Sequence, residues 1–237
     1  MTTQMPHVIG AARGWFALFK CQLNPVRAII PPPFEPITVR GGKVLTVCFL
    51  LDCMDTSIGP YKHLAVAFAA RPKSWLTPPF GALWFERRAS DFGYFVQFSA
   101  VSTESAAQTH REHWGLPSFH ADIDVVVKRS KMKVAVAESG EDIVRMDMKR
   151  PGPGMPDRFP LRYYTRVDGE VFKTEMLVDA VGREKSLFAS ADLDLRRHSR
   201  AEDLRGASIE LRDPLCVRWY DSFRTRMDEP VARFKVK

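Results

Sequence analysis

The residues best equipped for chemistry crowd around one short segment, Arg111-Glu112-His113-Trp114-Gly115-Leu116-Pro117-Ser118-Phe119. It reads as the end of a helix running into a tight turn, with Gly115 and Pro117 closing the helix. Histidines stand at 110, 113 and 120. His110 and His113 share a helix face, and together with His120 or His63 they could ligate a metal. Spacing alone does not make such groups converge, and histidines at helix ends ordinarily satisfy terminal carbonyls and the helix dipole, so no metal is expected. Ser118, if brought beside His63, would offer a nucleophile and a base. No Gly-x-Ser-x-Gly elbow accompanies it, and a serine after a proline is ordinarily a turn residue. Walker loop, dinucleotide fingerprint and zinc-protease helix are all missing from the sequence, so no cofactor is expected.

The elements that must position these residues are mostly strands. Val44 to Leu51 is a nearly continuous apolar run with β-branched residues, the pattern of a strand buried on both faces. Leu64 to Ala70 and Gly93 to Val101 follow as further strands. Ile123 to Val127 and Met132 to Glu138 flank a polar turn at Arg129-Ser130 and read as a hairpin; Val144, Met146 and Met148 alternate with polar residues in the next strand. Pro151 to Pro156 breaks regular structure and reads as a loop within one domain. Asp168-Gly169 marks a hairpin turn, because both central positions need positive φ. Helices are few: one over Thr103 to Trp114, and a weak one around Arg200 to Leu204. Aromatic residues crowd the first half, among them Trp15, Phe16, Phe19, Trp75, Phe80, Trp84, Phe85, Tyr94 and Phe95. They suit core packing or a wide apolar pocket, with Arg71 to Gly81 as a candidate lid. The pattern as a whole predicts a mostly β, α+β fold.

Composition limits the partners. The 237 residues are 45% hydrophobic, enough to build a sizeable core, and one domain over residues 1–237 is the expectation. The net charge is +7, but the basic residues are scattered and form no stripe suited to nucleic acid. The four cysteines, at 21, 48, 53 and 216, lack zinc-knuckle spacing; Cys48 lies in an apolar run and reads as a reduced, buried residue. No apolar run approaches a membrane span and no leader is evident, so a cytoplasmic location without membrane partners is expected.

Three segments resemble the acetoacetate decarboxylase superfamily. Val26 to Pro36, ending Pro31-Pro32-Pro33-Phe34-Glu35-Pro36, is similar to the family's early helix and proline-rich run. Gly59-Pro60-Tyr61-Lys62-His63 is similar to its Gly-x-Tyr-x-Glu turn. Arg111 to Phe119 resembles its Arg-Glu-x-x-Gly-x-Pro-Lys-Lys signature, with the lysine pair replaced. The resemblance implies a β-barrel with few short helices, a small-molecule ligand and a homo-oligomer. It places the family's Schiff-base lysine and its neighbour at Ser118 and Phe119, the turn glutamate at His63, a second acidic position at Cys48, and a substrate-facing arginine at Arg13. Arg111 and Glu112 persist, and Tyr61 and Trp114 fall within the matching motifs as substrate-binding positions.

These replacements change the chemistry that the resemblance implies. A Schiff base requires a primary amine that is neutral near pH 7; serine and phenylalanine supply none. Lys62 is the closest substitute, but strand alternation should turn it away from His63. The expectation is therefore a lysine-less member that binds a small apolar oxo compound or carboxylate. Its chemistry, if any, would be proton transfer through His63, with Arg13 or Arg111 holding an anionic group. The alternative is a non-catalytic binding or scaffolding protein that keeps the cavity and has lost the reaction.

Overall fold

The computed structural model describes residues 5–73 and 86–236. In chain order the first strands are β1 (His7–Cys21), β2 (Phe34–Pro36), β3 (Thr38–Val39), β4 (Lys43–Thr56), β5 (Tyr61–Pro72) and β6 (Gly93–Val101). Then come β7 (Ser118–His120), β8 (Asp122–Lys128), β9 (Lys131–Glu138), β10 (Glu141–Lys149) and β11 (Met155–Val167). The last are β12 (Glu170–Lys185), β13 (Ala191–Leu195), β14 (Cys216–Met227) and β15 (Ala232–Lys235). Among the described residues, three short helices interrupt them: α1 (Leu23–Ile29), α2 (Glu104–Trp114) and α3 (Glu202–Gly206).

Seven strands close a barrel. β5, β4, β1, β14, β12, β11 and β6 pair in that order, and β6 pairs back onto β5. Closure removes the open edges that would otherwise invite association. A second sheet, β13-β10-β9-β8, packs against the outside of the barrel.

Strand alternation sorts the side chains into two cores. On β4, Val44, Cys48 and Leu50 face the second sheet, while Leu45, Val47 and Leu51 face the barrel interior. On β5, Leu64, Val66, Phe68 and Ala70 face outward, and Ala65, Ala67 and Ala69 inward with His63. Because both faces are covered, these strands read as continuous apolar runs, which is the signal their sequences carry.

The barrel has one seam that matters for the site. The first half of β6 pairs in parallel with β11, Tyr94 opposite Tyr163; its second half pairs in parallel with β7, Ser99 opposite Ser118. Helix α2 feeds β7 into that seam. Thr103 caps the helix by accepting a hydrogen bond from the Ala106 amide at 3.3 Å, and Glu104 complements the dipole in its first turn. Its buried face, Ala106, Ala107, His110 and Trp114, follows the helical period and packs into the barrel core. Gly115 ends it at φ 60°, where a Cβ would meet Val167 Cγ2 at 2.0 Å, so only glycine fits.

The hairpin between β8 and β9, the helix over Thr103 to Trp114 and the Asp168-Gly169 turn, with φ 47° and 80°, match the expectations from sequence. The weak helix starts later than expected: Ser199–Ala201 is a 3₁₀ turn and α3 follows it. The long strands β1 and β14 went unread. Most of the candidate lid, and Trp75, Phe80, Trp84 and Phe85, lie outside the described residues. Among the described residues no helix is long and apolar enough to cross a membrane.

Candidate functional site

The barrel encloses a cavity of about 40 Å³, room for a few water molecules. Most of its wall is apolar: Ile9, Phe16, Val47, Phe49, Leu51, Val96, Leu116, Leu161, Met176 and Met227. The two methionines are adaptable, so the space can reshape around a slightly larger guest. Into this wall the fold sets His63, His110, Tyr61, Tyr94, Tyr163 and Arg162, and no lysine among the described residues.

The polar groups form a connected set behind the wall. His63 Nε2 bonds Ser99 Oγ at 2.9 Å, and Ser99 Oγ bonds Ser118 Oγ at 2.7 Å. His110 Nδ1 reaches Ser118 Oγ at 3.3 Å, and its Nε2 reaches the Tyr61 hydroxyl at 3.3 Å. The Tyr61 hydroxyl continues to His7 Nε2 at 3.1 Å. The His63 and His110 rings meet edge to face with centroids 4.9 Å apart. Burial favours the neutral imidazole throughout. It lowers His7 to about 4 and His63 to about 3, and His110 lies well below its ordinary value, first by desolvation and then by the other two rings. The Tyr61 phenol is pushed far up by burial and stays protonated.

Arg162 lines the cavity and Arg218 lies behind Tyr94, linked to it through Glu86; both cations are engaged. Arg162 donates to Glu175 from Nε at 2.9 Å and to the Ala89 carbonyl at 3.1 Å. Arg218 holds the buried Glu86 carboxylate through two contacts of 2.8 and 2.5 Å, and Tyr94 donates to the same carboxylate at 2.6 Å. The Tyr163 hydroxyl is buried beside the hydroxyl of Thr174, its hydrogen-bonding neighbour across the β11–β12 pair.

The residues singled out in the sequence are placed as follows. His63 and Tyr61 line the cavity. Ser118 lies directly behind them, 3% exposed, with its hydroxyl held by Ser99 and His110. Trp114 is fully buried against the His7 and His110 rings and donates from Nε1 to the Asp228 carbonyl. Phe119, next to Ser118 on β7, points to the opposite side, onto Phe98 and under the Arg200 guanidinium. Cys48 likewise faces the outer core, its thiol pushed up to about 12 by burial. Arg13 is exposed on β1 opposite Asp52. Arg111 is exposed and braces the turn, donating to the Ser118 carbonyl at 2.8 Å and to Glu104 at 2.9 Å. Glu112 is exposed and accepts from Gln108. So Arg13, Cys48, Arg111, Glu112 and Phe119 do not reach the cavity.

The histidine triad considered for a metal does not assemble: His110 is buried, His120 is exposed and His113 sits at the helix surface. No group of three potential ligands converges among the described residues. Lys62 follows strand alternation and does not line the cavity. Sequence reasoning missed His7, Ser99, Tyr163 and Arg162, and gave His110 the wrong surroundings. The available signals were Ser99, a small hydroxyl in an otherwise apolar stretch of β6, and His110, which continues the Ala106-Ala107-Trp114 stripe.

The arrangement is a closed barrel with a helix packed against a histidine-bearing cavity whose wall holds no lysine among the described residues. The comparisons give the family: the acetoacetate decarboxylase (ADC) family model matches residues 5–221, and the chain belongs to that family. The fold is similar to the acetoacetate decarboxylase of Legionella pneumophila subsp. pneumophila str. Philadelphia 1, at 15% identity and TM-score 0.68, covering 100% of this chain and 90% of that one. It is also similar to the enduracididine biosynthesis enzyme MppR in complex with pyruvate, at 12% identity and TM-score 0.65, covering 96% of this chain and 90% of that one. A third similar structure is an acetoacetate decarboxylase-like enzyme from Sphingomonas wittichii RW1, at 11% identity and TM-score 0.59, covering 100% and 95%. No curated protein matches the sequence.

Proposed function

We propose that this chain binds a small, largely apolar oxo compound in the barrel cavity and moves a proton to or from it through His63, without forming a Schiff base. The observation that carries this reading is the pairing of a neutral imidazole with a cavity wall free of lysine among the described residues. No hydrogen bond engages His63 Nδ1 among the described residues, so that nitrogen is available to a ligand. Tyr163, on the cavity wall beside Thr174, brings a hydroxyl that would donate to a carbonyl oxygen. Arg162 is already neutralised by Glu175, which favours a neutral ketone over a carboxylate. A similar structure holding pyruvate supports an oxo compound as the ligand class. Ser118, behind the wall, is given a hydrogen-bonding role here in place of a nucleophilic one. We read the whole chain as one domain, self-associating and cytoplasmic.

Burial that keeps His63 neutral also makes it a weak base, so the acceleration should sit near the low end of general acid–base catalysis, on the order of 10²-fold. The test is incorporation of solvent deuterium α to the carbonyl of 2-butanone and of pyruvate, followed by proton NMR. The wild-type protein should accelerate exchange, for butanone more than for pyruvate, and His63→Ala should abolish it while the far-ultraviolet circular dichroism stays unchanged. Equal rates in the two proteins would remove the catalytic reading. A second reading, a binding or scaffolding protein with a degenerate site, is favoured by the largely apolar wall, and retention of butanone binding without exchange would select it.

A further inference from the structure

We propose that the polar groups behind the cavity form a proton-conducting chain that joins His63 to solvent at Ser57. The inner end of this chain, at His63, lines the cavity. From His63 the links run through Ser99, Ser118, His110 and Tyr61 to His7 at 2.9, 2.7, 3.3, 3.3 and 3.1 Å. From His7 Nδ1 the last link reaches Ser57 Oγ at 2.8 Å, and Ser57 is exposed. His7 itself is fully buried, so the chain crosses from the barrel interior to the surface through groups sealed from water.

What distinguishes this chain from an ordinary polar cluster is its head-to-tail bonding. Each histidine in its middle uses both ring nitrogens, one toward each neighbour, and each hydroxyl has a neighbour on both sides. A hydroxyl or a neutral imidazole can donate on one side while accepting on the other. The chain therefore has two complete arrangements. In one, Ser57 donates to His7, His7 to Tyr61, Tyr61 to His110, and so on until Ser99 donates to His63 Nε2 and the His63 proton sits on Nδ1. In the other every bond is reversed and the His63 proton sits on Nε2. Passing between them moves one proton along the whole chain. When His63 Nδ1 takes a proton from a ligand, Nε2 gives its own to Ser99, each successive group hands one on, and Ser57 releases one to water. Each imidazole ends as its other tautomer and the chain itself is neutral; the negative charge left by the proton stays on the ligand. No carboxylate or ammonium interrupts the path to trap the proton. The Cys53 thiol is a further hydrogen-bond partner of Tyr61; burial pushes it up to about 12, so it stays protonated and takes no proton out of the chain.

Burial that holds the three rings neutral is what such a chain needs, since a fixed imidazolium would have no free lone pair to accept. His7, Tyr61, His110, Ser118 and Ser99 are then positioning residues that act through His63. The proposal shares His63 with the proposed function but requires no ligand, so the two can fail separately.

The test is the exchange of the His63 ring N–H with water at pH 7, read by NMR in protein labelled with ¹⁵N-histidine. In the wild type, exchange should outpace that of the backbone amides of β5. Tyr61→Phe cuts the chain at its middle, so exchange must await local opening of the barrel and should slow by on the order of a hundredfold or more. Because Tyr61→Phe also strands two imidazoles, a second variant separates conduction from bonding. His7→Gln can bond both neighbours through its amide but has no accessible second tautomer, and it should slow exchange equally. Unchanged His63 exchange in either folded variant would overturn the chain. So would a wild-type rate no faster than that of the β5 amides. If instead butanone exchange proves independent of His63 while the N–H effect holds, the function proposed above fails and the chain stands.

Discussion

Lowering the pH from 7 to 5 is expected to remove on the order of 5 kcal/mol of folding stability, a large share of the ~5–15 kcal/mol typical of a domain. The cause is the three buried rings of His7, His63 and His110. Burial holds His7 near 4, His63 near 3 and His110 well below the ordinary 6.5 that each recovers on unfolding. Between those limits the unfolded chain binds protons that the folded chain refuses. Stability is therefore complete above the unfolded value and declines as the pH falls below it, at about 1.4 kcal/mol per pH unit for each ring. The decline for each ring ends once the pH passes its own folded value. Urea midpoints measured at pH 7, 6 and 5 check this. The midpoint should drop at each step, and the His7→Gln variant, lacking one of the three rings, should show a shallower slope. A midpoint that is flat from pH 7 to 5 would mean that the rings are charged or solvated in the folded protein.

The second large effect lies at the buried ion pair beside the cavity. Glu86→Gln is expected to cost about 3–5 kcal/mol, because it removes the charge but little of the volume and leaves the Arg218 guanidinium in the interior. Glu86 is 6% exposed and Arg218 is 3% exposed. Burial alone would raise the Glu86 carboxyl; the Arg218 charge and the hydrogen bonds from Arg218 and Tyr94 outweigh it and hold the group below its ordinary value. Glu184, the other acid on Arg218, is 41% exposed at its side chain and cannot replace the lost charge. Exposed pairs such as Lys133–Asp147, 3.3 Å apart, should be worth only about 0–1 kcal/mol, so Lys133→Ala serves as the control. Chemical denaturation of the two variants gives the comparison. A Glu86→Gln loss no greater than that of the control would show that the pair is not desolvated. Tyr94 ties this pair to the site: the hydroxyl that Glu86 holds belongs to a ring on the cavity wall.

The fold was legible wherever side-chain periodicity survives in the chain. β4, β5 and β6 are apolar runs because both cores claim their side chains, and the turn at Asp168-Gly169 declares itself through residues that tolerate positive φ. β1 was not legible: register shifts near Ile9, Ala12 and Gly14 break its alternation before the aromatic half begins. β14 carries alternating arginines and aromatics that read as surface until its neighbours β1 and β12 are known.

At the site, the matching motifs located Tyr61, His63 and Ser118, and strand geometry decided the rest. Ser118 and Phe119 are consecutive on β7, so only one of the two positions can turn toward the interior. Cys48 fails in the same way, since Val47 and Phe49 on either side of it take the cavity. A one-residue offset reverses every face of a strand, and a distant resemblance does not fix register that finely. His7 and Ser99 join the site through pairing between remote strands, which no local window contains.

The chemistry open to this protein turns on whether any of its amines can capture a carbonyl. Incubation with acetoacetate or pyruvate and sodium borohydride, followed by intact-mass and peptide mass spectrometry, reads this directly. The expected result is an unchanged mass, as a barrel cavity without lysine among the described residues requires. A reduced adduct on any lysine would contradict it.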